Sequence, residues 1–316
     1  MKDNHVKFPD NIYPPEEIVI DDAHCILYRS RFNNLYSLYN YLVSDPEINK
    51  SVFSELHSIT GSESFAGKPY EVALEDLIGE VDKSYETFLK LQKDLVNSNK
   101  KNFTKFKTVR TVAGGRLNIP LYSAGIPECY ETEERISMPK FCRIYVNLSY
   151  NWMTSKEQVL NRALVLLNVI RALENASYIV DLNLFDLSEL SNEIFYFILQ
   201  VKKFGNNINM EMLYKAMCCT EFLRRIIFRV METMAFKRNW GEGYGRTCDD
   251  VFTRKFLKLK KDDLLFPQPS EMNIKGKDIV KDFKNALNYL QLDDKVDSNK
   301  LVYELKKRIW YFIYDY

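Results

Sequence analysis

The segment from Phe141 to Phe185 constrains the fold of this chain more than any other. Phe141-Cys142-Arg143-Ile144-Tyr145-Val146-Asn147-Leu148 is a β-branched, apolar run suited to a buried strand. Ser155 supplies a helix N-cap, and Val159 to Leu173 is apolar over most of a helical circumference, so that helix must be covered on nearly every side. After the polar turn Glu174-Asn175-Ala176-Ser177, Tyr178 to Phe185 is a second strand. Strand, helix and strand joined by such short connections form a crossover unit, which forces the strands parallel and lays the helix across the sheet. The predicted class is α/β.

The unit is expected to continue. Ile194–Val201 is apolar enough for a further central strand, Asn209–Cys219 and Glu221–Met234 have helical spacing, and Leu264–Phe266 is one more short strand. Two helices follow, at Asp278–Leu290 and Leu301–Ile313. Upstream, Ile18–Ile20 and Cys25–Tyr28 read as strands, Leu35–Leu42 as a helix stopped by Asp45-Pro46, and Pro69 as the opening of another. The amphipathic run Tyr85–Leu95 ends in the polar cluster Asn97–Asn102, a boundary signal. From Phe106 the period becomes two, predicting a β-hairpin: Val109, Thr111 and Ala113, a Gly114-Gly115 turn, then Leu117–Pro120 returning. An acidic loop with Glu128, Glu131, Glu133 and Glu134 comes next. The expected division is an α+β N-terminal region (1–102), a Rossmann-like core with a hairpin lead-in (103–272), and C-terminal helices packing on that core (273–316).

Charge narrows the partners. With 44 Lys plus Arg against 43 Asp plus Glu the net charge is +1, which gives no field for steering onto nucleic acid, and no such partner is expected. The six cysteines are scattered without a C-x-x-C pair, and His5, His24 and His57 all lie near the start, so a Cys/His metal centre is not expected. Met1–Asp10 lacks a signal-like apolar run, and the most apolar windows are shorter than the ~20 residues a bilayer demands. A soluble, cytoplasmic protein with no membrane contact is expected.

Three groups of residues are candidates for contact with a ligand or partner. The loop Asn147–Thr154 follows a parallel strand and precedes a helix, where open α/β sheets place ligands. In it Asn147, Ser149 and Asn151, at alternate positions, converge on an exposed rim. In Gly241-Glu242-Gly243-Tyr244-Gly245-Arg246, Gly241 and Gly243 let backbone approach a phosphate that Arg246 neutralises, although the spacing matches neither dinucleotide nor Walker fingerprints. Arg225 and Arg229, one turn apart, form with Arg224 a basic helix face. The plainer reading of the three is a capping loop, a linker and a solvated face. No catalytic residue is named, because His24 and Cys25 point to opposite sides of a strand and no Gly-x-Ser-x-Gly elbow is present.

The spacing Asn147-x-Ser149-x-Asn151 resembles a degenerate von Willebrand factor A signature, Asp-x-Ser-x-Ser, whose acid and hydroxyls hold a divalent cation, and the likeness runs over Met138–Met272. Here asparagine stands for the acid and for the second serine, and Pro267-Gln268-Pro269 stands where members often have Asp-Gly. Without that acid a hard cation loses its anionic oxygen, so no cofactor is expected, and Mg²⁺ held by Ser149, Asp249 and Asp250 is the alternative. Ser64-Phe65-Ala66-Gly67, Glu71–Leu77, Gly125–Cys129 and Arg143–Ser149 are together similar to an uncharacterised family of tailed-phage proteins. These resemblances imply a three-layer, von Willebrand A-like core. Since some phages encode such a protein beside a MoxR-type ATPase, they also imply a non-enzymatic interaction or assembly adaptor in the host cytoplasm. Its partner would be such an ATPase, a virion protein or a host factor. The alternatives are a metal-dependent enzyme of phosphate chemistry, a nuclease or phosphoesterase, and a host-defence inhibitor that grips a nucleotide or protein through Arg225, Arg229 and Arg246.

Overall fold

The computed structural model describes residues 11–20, 22–81, 83–96, 106–135, 140–150, 154–176, 178–238, 240, 244, 246–266, 268–275 and 278–292. The chain opens with β1 (Glu16–Ile20), β2 (Ala23–Phe32) and α1 (Leu35–Val43), whose N-cap Asn34 accepts from Ser37 N at 2.7 Å. Short helices α2 (His57–Thr60), α3 (Glu63–Ala66) and α4 (Tyr70–Asp76) lead to α5 (Lys83–Val96). Then come β3 (Phe106–Thr111), β4 (Arg116–Leu117), α6 (Ile119–Ser123) and β5 (Tyr130–Arg135). The crossover follows as β6 (Lys140–Asn147), α7 (Lys156–Asn175) and β7 (Tyr178–Leu190), with β8 (Glu193–Lys202) directly after. The remainder is α8 (Met210–Cys218), a π-helical segment (Phe222–Ile227), α9 (Phe228–Glu232), β9 (Arg246–Thr247), α10 (Asp250–Phe256), β10 (Leu264–Phe266) and α11 (Ile279–Tyr289). The expected boundary at Asn97–Asn102 and the helix at Leu301–Ile313 lie outside the described residues.

The main sheet has the order β1-β2-β8-β7-β6-β10, with β9 added to the end of β7. β6 and β7 are parallel, in register from Lys140 opposite Tyr178 to Asn147 opposite Phe185, as the crossover dictates, and β10 joins β6 in parallel. Ser155 starts α7 with a capping box: its hydroxyl accepts from Gln158 N at 3.3 Å while its own N–H donates to Gln158 Oε1 at 2.9 Å.

The parallel winding stops at β8. That strand is central, as its composition suggests, but it runs antiparallel to β7. β7 extends to Leu190 and so absorbs the connection. Only Ser191 and Asn192 remain for the turn, with Ser191 at φ 56°, whereas a parallel crossover needs a dozen or more residues. On its far side β8 pairs in parallel with β2, so the sheet is mixed.

Alternation along the strands builds two apolar layers. Tyr28, Phe32, Ile144, Val146, Leu182, Leu184, Phe195 and Phe197 face α7, α8 and the π-helical segment. Leu27, Phe185, Leu187, Ile194, Tyr196 and Leu265 face Phe252 and Phe256 of α10. Several helices therefore cover one face and α10 covers part of the other, and each fully buried Leu or Phe stabilises the layering by about 1.5–3 kcal/mol. The α/β class holds.

The predicted hairpin after Phe106 is not one. β3 and β4 do not pair; β5 lies between them and pairs antiparallel with both, so the expected acidic loop contributes the central strand of a small separate sheet. Among the described residues no helix is long and apolar enough to cross a membrane.

Candidate functional site

At the carboxyl end of β6 the predicted rim is largely closed. Asn147 and Ser149 are 5% and 7% exposed, not solvent-facing as their alternate spacing suggested. The Asn147 amide oxygen turns back to accept from Ser149 N at 2.9 Å, and Ser149 Oγ donates to Asp186 Oδ1 at 2.7 Å, which also accepts from Ser188 Oγ at 3.0 Å. Above them Arg162 of α7 donates from Nη2 to the carbonyls of Asn147 and, at 3.2 Å, Phe266, so it ties the ends of β6 and β10 together. Burial pushes the Asp186 carboxyl above its ordinary range against the pull of the two serine hydroxyls. Burial likewise lowers Arg162 to about 9, with Glu271 and Tyr150 acting the other way. Asn151 lies outside the described residues.

The residues named for a cation are engaged separately. Ser149 is bound to Asp186, Asp249 caps α10 by accepting from Phe252 N at 2.7 Å, and Asp250 accepts from the Tyr289 hydroxyl. Among the described residues no cluster of three or more His, Cys, Asp or Glu could hold a metal ion.

The basic helix face is not on the surface. All of Phe222–Ile227 is buried and π-helical, so the turn is wider than the α-helical spacing assumed, and Arg224 and Arg225 both point inward. Arg225, 2% exposed, gathers the loop at 57–68: Nε donates to Lys68 O at 2.9 Å, Nη1 to Ser58 O and Ile59 O at 3.2 and 3.1 Å, and Nη2 to Gly61 O at 2.8 Å. Arg229 lies over the Tyr70 ring and 3.6 Å from Glu232. Glu232, fully buried, accepts from Ser58 N at 3.1 Å and from the hydroxyls of Ser58 and Tyr244. Arg246 is exposed on β9, in register with Glu189. Gly241 and Gly243 lie outside the described residues.

These contacts shape a cleft of about 650 Å³ between the 57–68 loop, Tyr150, the π-helical segment and Tyr244. Its most polar wall is Arg224, only 6% exposed, whose Nη1 donates to Phe65 O. The guanidinium lies 4.2 Å from the Phe65 ring centre and 5.2 Å from that of Tyr150, two cation–π contacts. Among the described residues nothing accepts from its Nε or Nη2. The Tyr150 hydroxyl is buried and has no hydrogen-bond partner among the described residues. Burial, partly offset by Arg224, pushes its pKa up to about 12, so it stays protonated at neutral pH and keeps a proton to donate. The opposite wall is aromatic: Tyr244 stacks on Phe228 at 4.1 Å and 11°, held by its bond to Glu232 and by accepting from His57 N at 2.8 Å. Tyr244 adopts φ 52°, an uncommon backbone for a non-glycine residue.

Tyr150 and Tyr244, one from each of the two loops singled out by sequence but only bystanders there, line the same cleft. Tyr150 sits between the alternate polar positions, Tyr244 between the glycines, and His57 and Phe65 lie far upstream; only the aromatic inserted in a glycine run was a usable signal.

Further cavities lie among the described residues. One of about 440 Å³ under α4, α5 and α8 is lined by Phe88, Tyr214, Cys218 and Cys219, and burial pushes the Cys218 thiol well up, which makes it a poor nucleophile. Another of about 680 Å³ lies between β1, β2 and the end of α10.

A family model described as a domain of unknown function, DUF7192, matches residues 17–293, which takes in the main sheet and every wall of the cleft. No curated protein and no solved structure matches the chain.

Proposed function

The chain belongs to the DUF7192 family, and from that premise we propose that it is a non-enzymatic interaction adaptor whose recognition site is the cleft around Arg224. The carrying observation is chemical. Arginine and tyrosine held rigid in a desolvated pocket are the groups that supply most of the binding energy at interfaces, and here Arg224, Tyr150 and the Phe228–Tyr244 stack line one opening. We read the core as von Willebrand A-like and phage-derived. Support comes from the order of β6, polar loop, α7 and β7, from the parallel β10-β6-β7 set, and from helices on both faces; the β7–β8 hairpin is a departure from that plan. A MoxR-type ATPase, a virion protein or a host factor is the partner proposed.

The test places a photo-crosslinking amino acid at Ser62, on the exposed lip of the cleft, in the full chain expressed in infected cells. The expected result is a discrete crosslinked partner that disappears when Thr60→Trp fills the opening. Identical adducts with and without the tryptophan overturn the reading. Heating the protein with Mg²⁺, Ca²⁺ or Mn²⁺ separates the metal-dependent alternative: the adaptor keeps its Tm, whereas a functional cation site raises it with concentration.

A further inference from the structure

We propose that the cleft takes a flat ring system bearing a phosphate, the class that nucleoside monophosphates exemplify, with Arg224 gripping the phosphate through Nε and Nη2. The inference rests on the cleft being a recognition site and goes on to its ligand. A guanidinium offers two bidentate edges to an oxyanion, one formed by Nη1 with Nη2 and one by Nε with Nη2. Phe65 O occupies Nη1 and so spoils the first. The second remains without an acceptor among the described residues, and the Phe65 and Tyr150 rings, 4.2 and 5.2 Å from the guanidinium carbon, pack against it. This is a preorganised fork, and its orientation is already fixed before any ligand arrives.

The remaining walls define what the oxyanion is attached to. Phe228, half-buried and backed by Tyr244, which is itself packed between Phe228 and Phe53, offers an aromatic surface, and Phe65 and the His57 ring line the same opening. A volume of about 650 Å³ is in the range of small-ligand sites. The orphaned Tyr150 hydroxyl is a further donor on the same wall, and a ligand oxygen that reaches it ends an unfavourable unpaired state. Glu55, mostly exposed at the mouth, lies with its carboxylate 3.8 Å from His57 Nδ1.

Calorimetric titration of the full chain with inorganic phosphate, AMP, adenosine and benzoate tests this. AMP is expected to bind at least tenfold more tightly than either phosphate or adenosine, because only it uses both walls. Arg224→Lys retains the charge and a donor for Phe65 O but loses the fork, so AMP binding should fall at least tenfold with Tm unchanged. Tyr150→Phe should weaken AMP a few-fold without loss of stability, an effect that a purely structural tyrosine would not show. Equal binding of AMP and adenosine, full affinity in Arg224→Lys, or benzoate binding more tightly than AMP would each overturn the assignment. If AMP fails while the Ser62 crosslink still depends on an open cleft, the ligand class is wrong and the adaptor reading stands. If AMP binds and the crosslink ignores the Thr60→Trp plug, the adaptor reading falls.

Discussion

A buried hydroxyl with no partner is a liability, and among the described residues the Tyr150 hydroxyl, next to the cleft, has none. Tyr150→Phe removes it without changing shape, so the unliganded variant should gain about 1 kcal/mol and roughly 2 °C in Tm, measured by calorimetry. Asp186 gives a residue-scale prediction of a different kind. Burial raises its folded pKa above the ordinary aspartate value of 3.8, so the folded chain holds that proton more tightly than the unfolded chain. The associated stability is fully present below the ordinary value and is lost as pH rises through the folded one. Asp186→Asn keeps an acceptor for Ser149 and Ser188 and should flatten that part of the stability-against-pH curve, leaving it at least as stable as the parent at neutral pH. Glu271, also raised chiefly by burial, contributes the same sign and keeps a residual slope in the variant. At this scale sequence was a poor guide. Alternate spacing singled out Asn147 and Ser149, but strand pairing up to Asn147 and the arginine above it close over both, and Tyr150, the residue after Ser149, reaches the cleft instead.

Helices were legible as helices; which side chains they bury was less so. Polar caps and apolar periodicity placed α1, α7, α8 and α11 within a few residues of where they lie, since caps and stripes are local chemistry. The same periodicity put Arg225 and Arg229 on a solvated α-helical face. The π-helical turn defeats that inference, because it widens the spacing and lets six consecutive residues be buried. What it makes is a clamp. Arg225 holds four separate carbonyls of the 57–68 loop at 3.2 Å or less, so Arg225→Met should cost about 3 kcal/mol or more and release that loop. Urea unfolding reads the first effect and proteolytic cleavage within 57–68 the second; Arg225→Lys, keeping charge and three donors, should fall between. Gly61→Ala tests the same packing from the loop side, since a Cβ there would lie 2.7 Å from His57 O.

For the molecule as a whole, the crossover was legible because a helix joined to its strands by short connections leaves the strands one arrangement, while the reversal at β8 was hidden in the length of β7. Once β7 runs to Leu190, the sheet must fold back, and the seat on the far side of β8 falls to β2. That pairing spans Ile26–Phe32 against Glu193–Leu199, and it brings Tyr28 and Phe32 into the layer beneath the helices. Tyr28 also donates to Glu193 Oε1 at 2.9 Å, the carboxylate that binds the amides of Lys237 and Arg238 and the Trp240 indole on the approach to the cleft. A fragment beginning at residue 103 would expose the edge of β8, strip six buried aromatics (Tyr28, Phe32, Tyr41, Phe53, Tyr70 and Phe88) from the core and remove the His57–Phe65 side of the cleft together. Such a fragment should aggregate or remain unfolded by circular dichroism and bind no AMP, while co-expression with residues 1–102 should restore a soluble complex with the melting behaviour of the intact chain. A fragment that melts cooperatively on its own would mean that β2 only decorates a sheet already complete without it.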